Sequence, residues 1–252
     1  MCGIIGILSE NDVAPRLVEG LKRLEYRGYD SAGIATLSNG EIQRSRAPGK
    51  LINLENKLKS TPLSGNAGIG HTRWATHGGP TEDNAHPHAT DKVAVVHNGI
   101  IENYADLKAE LEQAQFRFET QTDTEVIAHL CTHYMKQGMD PHAASKATFD
   151  RLEGAYAVVM IFSGEHDLMI GTRHGTPLAV GYGEGEMFMA SDSYALAPLT
   201  KKICFLEDGD RVYMTRDAAM ITTNDNTPVT RDIRITAQSG ATSGKGEYKH
   251  FM

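Results

Sequence analysis

The sequence predicts an α+β domain in which two antiparallel β-sheets carry helices on their outer faces. Three observations lead there. The 252 residues are 40% hydrophobic and 23% charged with 25 Gly and 9 Pro, an ordinary globular balance that excludes coiled-coil, collagen-like and disordered classes. The second half is a series of short apolar segments separated by Gly and Asp turns, spaced too closely for crossover helices, so most strand pairs are antiparallel. Three stretches ahead of them space their apolar residues as helices do.

In chain order, Ile4, Ile5, Ile7 and Leu8 suit a buried strand that starts almost at the first residue, which ties the N-terminus down. Leu17, Val18, Leu21 and Leu24 recur at helical spacing over Ala14–Arg23, with Gly28 as a stop. Ala32–Leu37 and Glu41–Arg46 flank Ser38-Asn39-Gly40, and Asn-Gly accepts the positive φ of a type I′ hairpin turn. Leu51–Leu58 reads as a short helix ending before Pro62. Ala67–His71 and Val93–His97 read as strands around a polar loop rich in Gly, His and Pro, too long to be only a connector. Helices are expected over Tyr104–Leu111, Thr124–Met135 and His142–Leu152. Strands are expected over Tyr156–Phe162, Leu168–Thr172, Leu178–Tyr182, Met187–Ala190, Ile203–Leu206, Arg211–Met214 and Pro228–Ile235. No internal repeat is present, and Gln238–Lys249 has the polar, Gly/Ser-rich composition of a linker.

Charge and cysteine usage narrow the function. A net charge of -7, from 25 Lys+Arg against 32 Asp+Glu, provides no basic footprint for nucleic acid. No apolar run approaches the roughly 20 residues of a membrane span, so no membrane partner is expected. The cysteines at 2, 131 and 204 are too few and scattered for a disulfide framework, which points to a reducing cytoplasm. The N-terminus lacks the positive region and cleavage site of a signal peptide.

Several residues could carry chemistry, each with a plainer alternative. Removing Met1 would leave Cys2 with a thiol and a free α-amine, and an amine of pKa about 7.7 to 8.0 can take the thiol proton near neutral pH. Otherwise Cys2 packs as a small hydrophobe, as Cys131 and Cys204 are expected to do. Five of the eleven histidines lie between 71 and 97, which raises His77, His86 and His88 as metal ligands; their spacing matches no zinc pattern, and a solvent-facing loop explains them as well. No metal or other cofactor is therefore expected. Arg73, beside the sole Trp at a strand end, offers a planar fork suited to a carboxylate. His97-Asn98-Gly99 closes an apolar strand either as an ordinary turn or as an amide and a backbone N–H that could receive an oxyanion. Asp123 is either a helix N-cap, like its neighbour Thr124, or a counter-ion for an ammonium. Gly240–Lys245 is one residue short of a phosphate-binding loop and lacks its Ser/Thr.

Taken together, the motifs resemble a known family. They are Met1-Cys2-Gly3-Ile4-Ile5-Gly6, Arg23-Leu24-Glu25-Tyr26-Arg27-Gly28-Tyr29-Asp30-Ser31-Ala32-Gly33, Gly70-His71-Thr72-Arg73-Trp74-Ala75-Thr76-His77-Gly78, Asn84-Ala85-His86-Pro87-His88, His97-Asn98-Gly99-Ile100-Ile101-Glu102-Asn103 and Thr122-Asp123-Thr124-Glu125. In that order they resemble the glutaminase domain of the glucosamine-6-phosphate synthases, class II glutamine amidotransferases also called glutamine–fructose-6-phosphate transaminases (isomerizing). The resemblance implies an N-terminal-nucleophile hydrolase fold, a four-layer αββα sandwich. It implies that Cys2 attacks the side-chain amide of L-glutamine, leaving a γ-glutamyl thioester and then L-glutamate, with Asn98 and Gly99 holding the oxyanion. Arg73 would take the substrate carboxylate and Asp123 its ammonium. Thr76 and His77 would belong to a closing loop, Trp74 would lie near the ammonia route, and Arg27 and His86 would support the site. It further implies a glutaminase domain over 1–239 and a linker over 240–252 toward a sugar-isomerase domain that binds fructose 6-phosphate. A full-length homodimer and a monomeric glutaminase part are expected. A metal hydrolase and a non-catalytic glutamine-binding module, the latter if Met1 is retained, are the alternatives.

Overall fold

The structure is a computed structural model and describes residues 2–75 and 77–236; Met1, Thr76, the Gly240–Lys245 stretch and the expected linker lie outside the described residues. The first half comprises β1 (Gly3–Leu8), α1 (Ala14–Lys22), a 3-10 turn (Glu25–Arg27), β2 (Ser31–Ser38), β3 (Glu41–Pro48), α2 (Leu51–Ser60), β4 (Ala67–Arg73), β5 (His88–Ala89), β6 (Val93–Ile101), α3 (Tyr104–Gln113) and α4 (Glu125–Lys136). The second half comprises α5 (Pro141–Phe149), β7 (Gly154–Phe162), β8 (Met169–His174), β9 (Ala179–Tyr182), β10 (Met187–Ala190), α6 (Ser193–Leu196), β11 (Lys202–Phe205), β12 (Arg211–Met214), β13 (Ala219–Thr222), β14 (Pro228–Val229) and β15 (Ile233–Ile235).

Strand alternation builds the layers. On β1, Ile4 and Leu8 enter the core between the sheets while Ile5 and Ile7 pack outward under α1. On β6 and β7, Ala94, Val96, Ala157, Val159 and Ile161 face that same inner core, and Val93, Val95, Val158, Met160 and Phe162 face α3, α4 and α5. All these side chains are fully buried, and burying each such Val, Ile or Phe contributes roughly 1.5–3 kcal/mol relative to leaving it in water. Two antiparallel sheets result, ordered β15-β11-β9-β10-β1-β4-β2-β3 and β14-β13-β12-β8-β7-β6-β5. With helices on both outer faces this is the expected αββα sandwich.

Departures from the expected elements have local causes. β6 runs four residues past His97 to Ile101, so Asn98-Gly99 is strand rather than turn; Gly99, at φ 113°, remains paired with Tyr156 of β7. The Asn39-Gly40 hairpin forms as expected, with φ of 51° and 83°. Pro228–Ile235 splits between the two sheets, because Arg231 in its middle turns aside to pair with Asp210 and Glu207. The helix expected over His142–Leu152 starts at Pro141, where Asp140 Oδ1 accepts from Ala143 N at 2.8 Å, and ends at Phe149.

Four of the five histidines between 71 and 97 are not solvent-facing. His71, His86, His88 and His97 are each 5% exposed or less. Their side-chain partners are the Asn98 amide and the hydroxyls of Thr122 and Thr124. Burial holds all four below the ordinary histidine value of about 6.5, His71 down to about 3.

Two predictions follow from these placements. Below pH 6.5 the unfolded chain binds protons that the folded rings resist, so stability falls as pH falls; at pH 5.5 the cost from His71 alone is roughly 1.4 kcal/mol. Urea midpoints at pH 7.5 and 5.5 measure it, and equal midpoints would refute it. At Gly99, an added Cβ would stand 1.9 Å from the Ala155 carbonyl oxygen on a positive-φ backbone. Gly99→Ala should destabilise by at least about 2 kcal/mol in the same assay.

Candidate active site

Cys2 sits one residue before β1, a central strand hydrogen-bonded to β4 on one side and β10 on the other. Gly3 is required there, because a Cβ would lie 2.6 Å from Leu24 Cβ and 2.7 Å from Thr72 Oγ1. The Trp74 N–H donates to Cys2 Sγ at 3.2 Å, and the thiol lies 3.5 Å from the Trp74 carbonyl oxygen. Burial pushes the Cys2 thiol above its usual value, outweighing the Trp74 N–H and the nearby Arg73 charge, which both lower it. The group is therefore a protonated thiol at neutral pH and needs a base to become a nucleophile. Among the described residues no histidine nitrogen is hydrogen-bonded to the sulfur.

Opposite the thiol stands the end of β6. Asn98 Nδ2 donates to the Cys2 carbonyl oxygen at 3.1 Å, and its Oδ1 lies 3.0 Å from His71 Nε2. One Nδ2 hydrogen remains for another acceptor. Asp123 is 4% exposed, and its Oδ2 accepts from Ile101 N at 2.8 Å. It does not cap α4, whose N-cap residue Thr124 makes no side-chain capping bond. The Thr124 hydroxyl instead joins His97 Nδ1 and His86 Nε2, each at 3.0 Å.

Arg73 ends β4 and is 4% exposed. Its guanidinium donates to the carbonyl of Gly79 at 3.1 Å, of Gly78 at 3.3 Å and of His77. Asp30 clasps the turn that follows, accepting from Ala75 N at 2.7 Å while its own N–H bonds the Arg73 carbonyl at 3.0 Å. Asn84 then ties this loop to the segment before α4, through Gly79 O and Gln121.

Cys2, Arg73, Trp74, His86, His97, Gly99 and Asp123 thus line one cleft of about 10 Å³, room for a single water. A larger cavity of about 580 Å³ lies elsewhere, between Asp150, Tyr156, Arg173 and Arg211. Its lining contains no thiol, and of the residues the sequence singles out none lies there. Within the smaller cleft a thiol and opposite charges converge, and the Asn98 amide is hydrogen-bonded to the Cys2 carbonyl oxygen.

The other expected residues take different places. Trp74 is 46% exposed with its ring edge-on to Tyr29 at 5.4 Å, forming the rim. The His77 ring packs on Tyr104 at 5.5 Å. Arg27 points away from the cleft and pairs with Asp192 and the Tyr26 hydroxyl. Among the described residues no three His, Cys, Asp or Glu side chains are grouped to hold a metal ion. Sequence reading missed His71, His97 and Asp30. The first two carried a signal, a polar ring inside an otherwise apolar strand, and Asp30 carried none.

Comparison with known proteins places this geometry. A family model described as a glutamine amidotransferase domain matches residues 71–198. A glutamine–fructose-6-phosphate aminotransferase (isomerizing) of Brucella abortus biovar 1 (strain 9-941) is 56% identical over 252 residues, 100% of this chain and 42% of that protein. The enzyme of the same name from Gluconobacter oxydans (strain 621H) is 55% identical over 253 residues, again 100% of this chain and 42% of that protein. The chain therefore spans about two fifths of the length of these curated relatives. Among solved structures, the glutamine phosphoribosylpyrophosphate amidotransferase from B. subtilis superposes with a TM-score of 0.77 at 24% identity, over 90% of this chain and 50% of that one, a likeness of fold. Because the family match takes in just over half of the residues, the chain belongs to the family of glutamine amidotransferase domains.

Proposed function

We propose that this domain hydrolyses the side-chain amide of L-glutamine to L-glutamate and ammonia, with Cys2 as nucleophile. The observation that carries it is the cleft that Cys2, Gly99, Arg73 and Asp123 line together, with the Asn98 amide hydrogen-bonded to the Cys2 carbonyl oxygen. Excision of Met1 frees the Cys2 α-amine, which supplies the base that a thiol of raised pKa needs. The amine takes the thiol proton as sulfur bonds to the amide carbon. The resulting oxyanion accepts the second Asn98 Nδ2 hydrogen and the Gly99 N–H. The protonated amine then gives its proton to the leaving nitrogen, ammonia departs, and a γ-glutamyl thioester remains on Cys2. Water, deprotonated by the same amine, attacks the thioester and releases glutamate with the thiol restored.

Recognition of the free amino acid rests on opposite charges. Arg73 pairs with the α-carboxylate and Asp123 with the α-ammonium. In this structure the guanidinium is held by the carbonyls of residues 77–79, so seating glutamine exchanges these bonds for a carboxylate and shifts that loop, which with Thr76 and His77 acts as a lid. Trp74 at the rim lines the exit for ammonia, Arg27 supports the site from outside it, and His86 supports it from the cleft wall. The unit is a glutaminase domain over 1–239 with a linker over 240–252. In a longer protein its ammonia passes to fructose 6-phosphate held by a further domain, as the names of the relatives suggest, in a cytoplasmic homodimer. The glutaminase part alone is a monomer.

The experiment is ammonia release from glutamine by protein whose intact mass shows Met1 removed. Cys2→Ala should lower release by at least about 10³-fold while glutamine still binds; undiminished release by that variant would sink the proposal. Arg73→Lys, which keeps the charge but loses the fork, should raise KM for glutamine by about tenfold or more with a smaller change in kcat.

A further inference from the structure

We propose that His71 is the positioning residue that sets the orientation of the Asn98 side-chain amide, acting through Asn98 and not on substrate. This rests on the proposed roles of Cys2 and Asn98.

Valence dictates the orientation. The Cys2 carbonyl oxygen can only accept, so the Asn98 atom 3.1 Å from it is Nδ2. Oδ1 therefore faces His71 Nε2 at 3.0 Å, and because an amide oxygen also only accepts, Nε2 carries the hydrogen. The His71 ring is completely buried and neutral, its pKa held near 3, so it has one N–H to give. Asn98 Oδ1 receives it.

Strand periodicity puts the two groups face to face across the sheets. His71 is two residues beyond Ile69 on β4, and Asn98 two beyond Val96 on β6, and both of those apolar side chains belong to the inter-sheet core. The hydrogen bond thus extends that core to the edge of the cleft. The His71 ring is itself confined by His86, 4.1 Å away between centroids, which is held in turn by the Thr124 hydroxyl. Were the amide reversed, Oδ1 would oppose the Cys2 carbonyl and turn a lone pair toward the developing oxyanion. With His71 donating, the second Nδ2 hydrogen is available where negative charge forms.

The test compares His71→Leu and His71→Gln in the glutaminase assay, with Cys2→Ala as control. The Leu variant keeps approximate volume but cannot donate, and should lose about 100-fold in kcat with KM changed less than about threefold. The Gln variant, whose side-chain nitrogen can reach the Nε2 position and donate, should recover to within about tenfold of the native kcat. In an Asn98→Ala background, His71→Leu should cost nothing further, the non-additivity expected of residues acting as one unit. A Leu variant with native kcat overturns the inference. So does a Gln variant no better than Leu, or a full Leu penalty without Asn98. Thermal unfolding of each variant separates lost folding from lost chemistry, and the Gln variant retains the test if Leu does not fold. Activity in Cys2→Ala would instead defeat the underlying reading of the site.

Discussion

A strand that begins at the third residue and is paired on both sides is the constraint on which the rest depends. Chain termini ordinarily fray, since each ordered residue costs roughly 1–2 kcal/mol of backbone entropy. Here β1 offsets that cost by lying between β4 and β10, with Ile4, Ile5, Ile7 and Leu8 fully buried on its two faces. Ser191 adds an anchor, its Oγ accepting from Ile4 N at 2.9 Å. A residue immediately ahead of such a strand inherits a defined position, which a nucleophile at a free terminus would lack.

The second requirement is a polar site at the end of an apolar sandwich. β4 and β6 leave the inter-sheet core at neighbouring points, so Arg73 and Gly99 reach the same cleft from opposite sheets. Behind them, neutral histidine rings and threonine hydroxyls fill the transition from apolar core to polar cleft. Burial costs these rings their charge, each keeps one side-chain hydrogen bond, and the low local dielectric strengthens it. The same burial raises the Cys2 thiol, so the proposed attack depends on a local base instead of a standing thiolate.

Most of the fold was legible in the sequence, because alternation and turn residues act locally. Asn39-Gly40, the β1 run and the α4 pattern each declare themselves within a single element. Less was legible where tertiary contacts overrule local preference. Asn98-Gly99 has the composition of a turn, yet strand β7 holds it in a ladder. Asp123 has the position of a cap, yet Ile101 N claims its carboxylate. Pro228–Ile235 has the composition of one strand, yet Arg231 sends its two ends to different sheets.

The amino-acid sequence by itself determined the class of fold and, through the motifs around Cys2, Arg73, Asn98 and Asp123, the candidate chemistry. Tertiary structure alone decided that Cys2, Arg73 and Asp123 meet in one cleft with Asn98 bonded to the Cys2 carbonyl, and that Arg73 is engaged by the 77–79 carbonyls. It also decided that Arg27 turns toward Asp192, and that His71 stands behind Asn98. The physical reason is range. Periodicity and turn preference are properties of a few adjacent residues, whereas a hydrogen bond between strands of two different sheets exists only once the core has brought them within 3 Å.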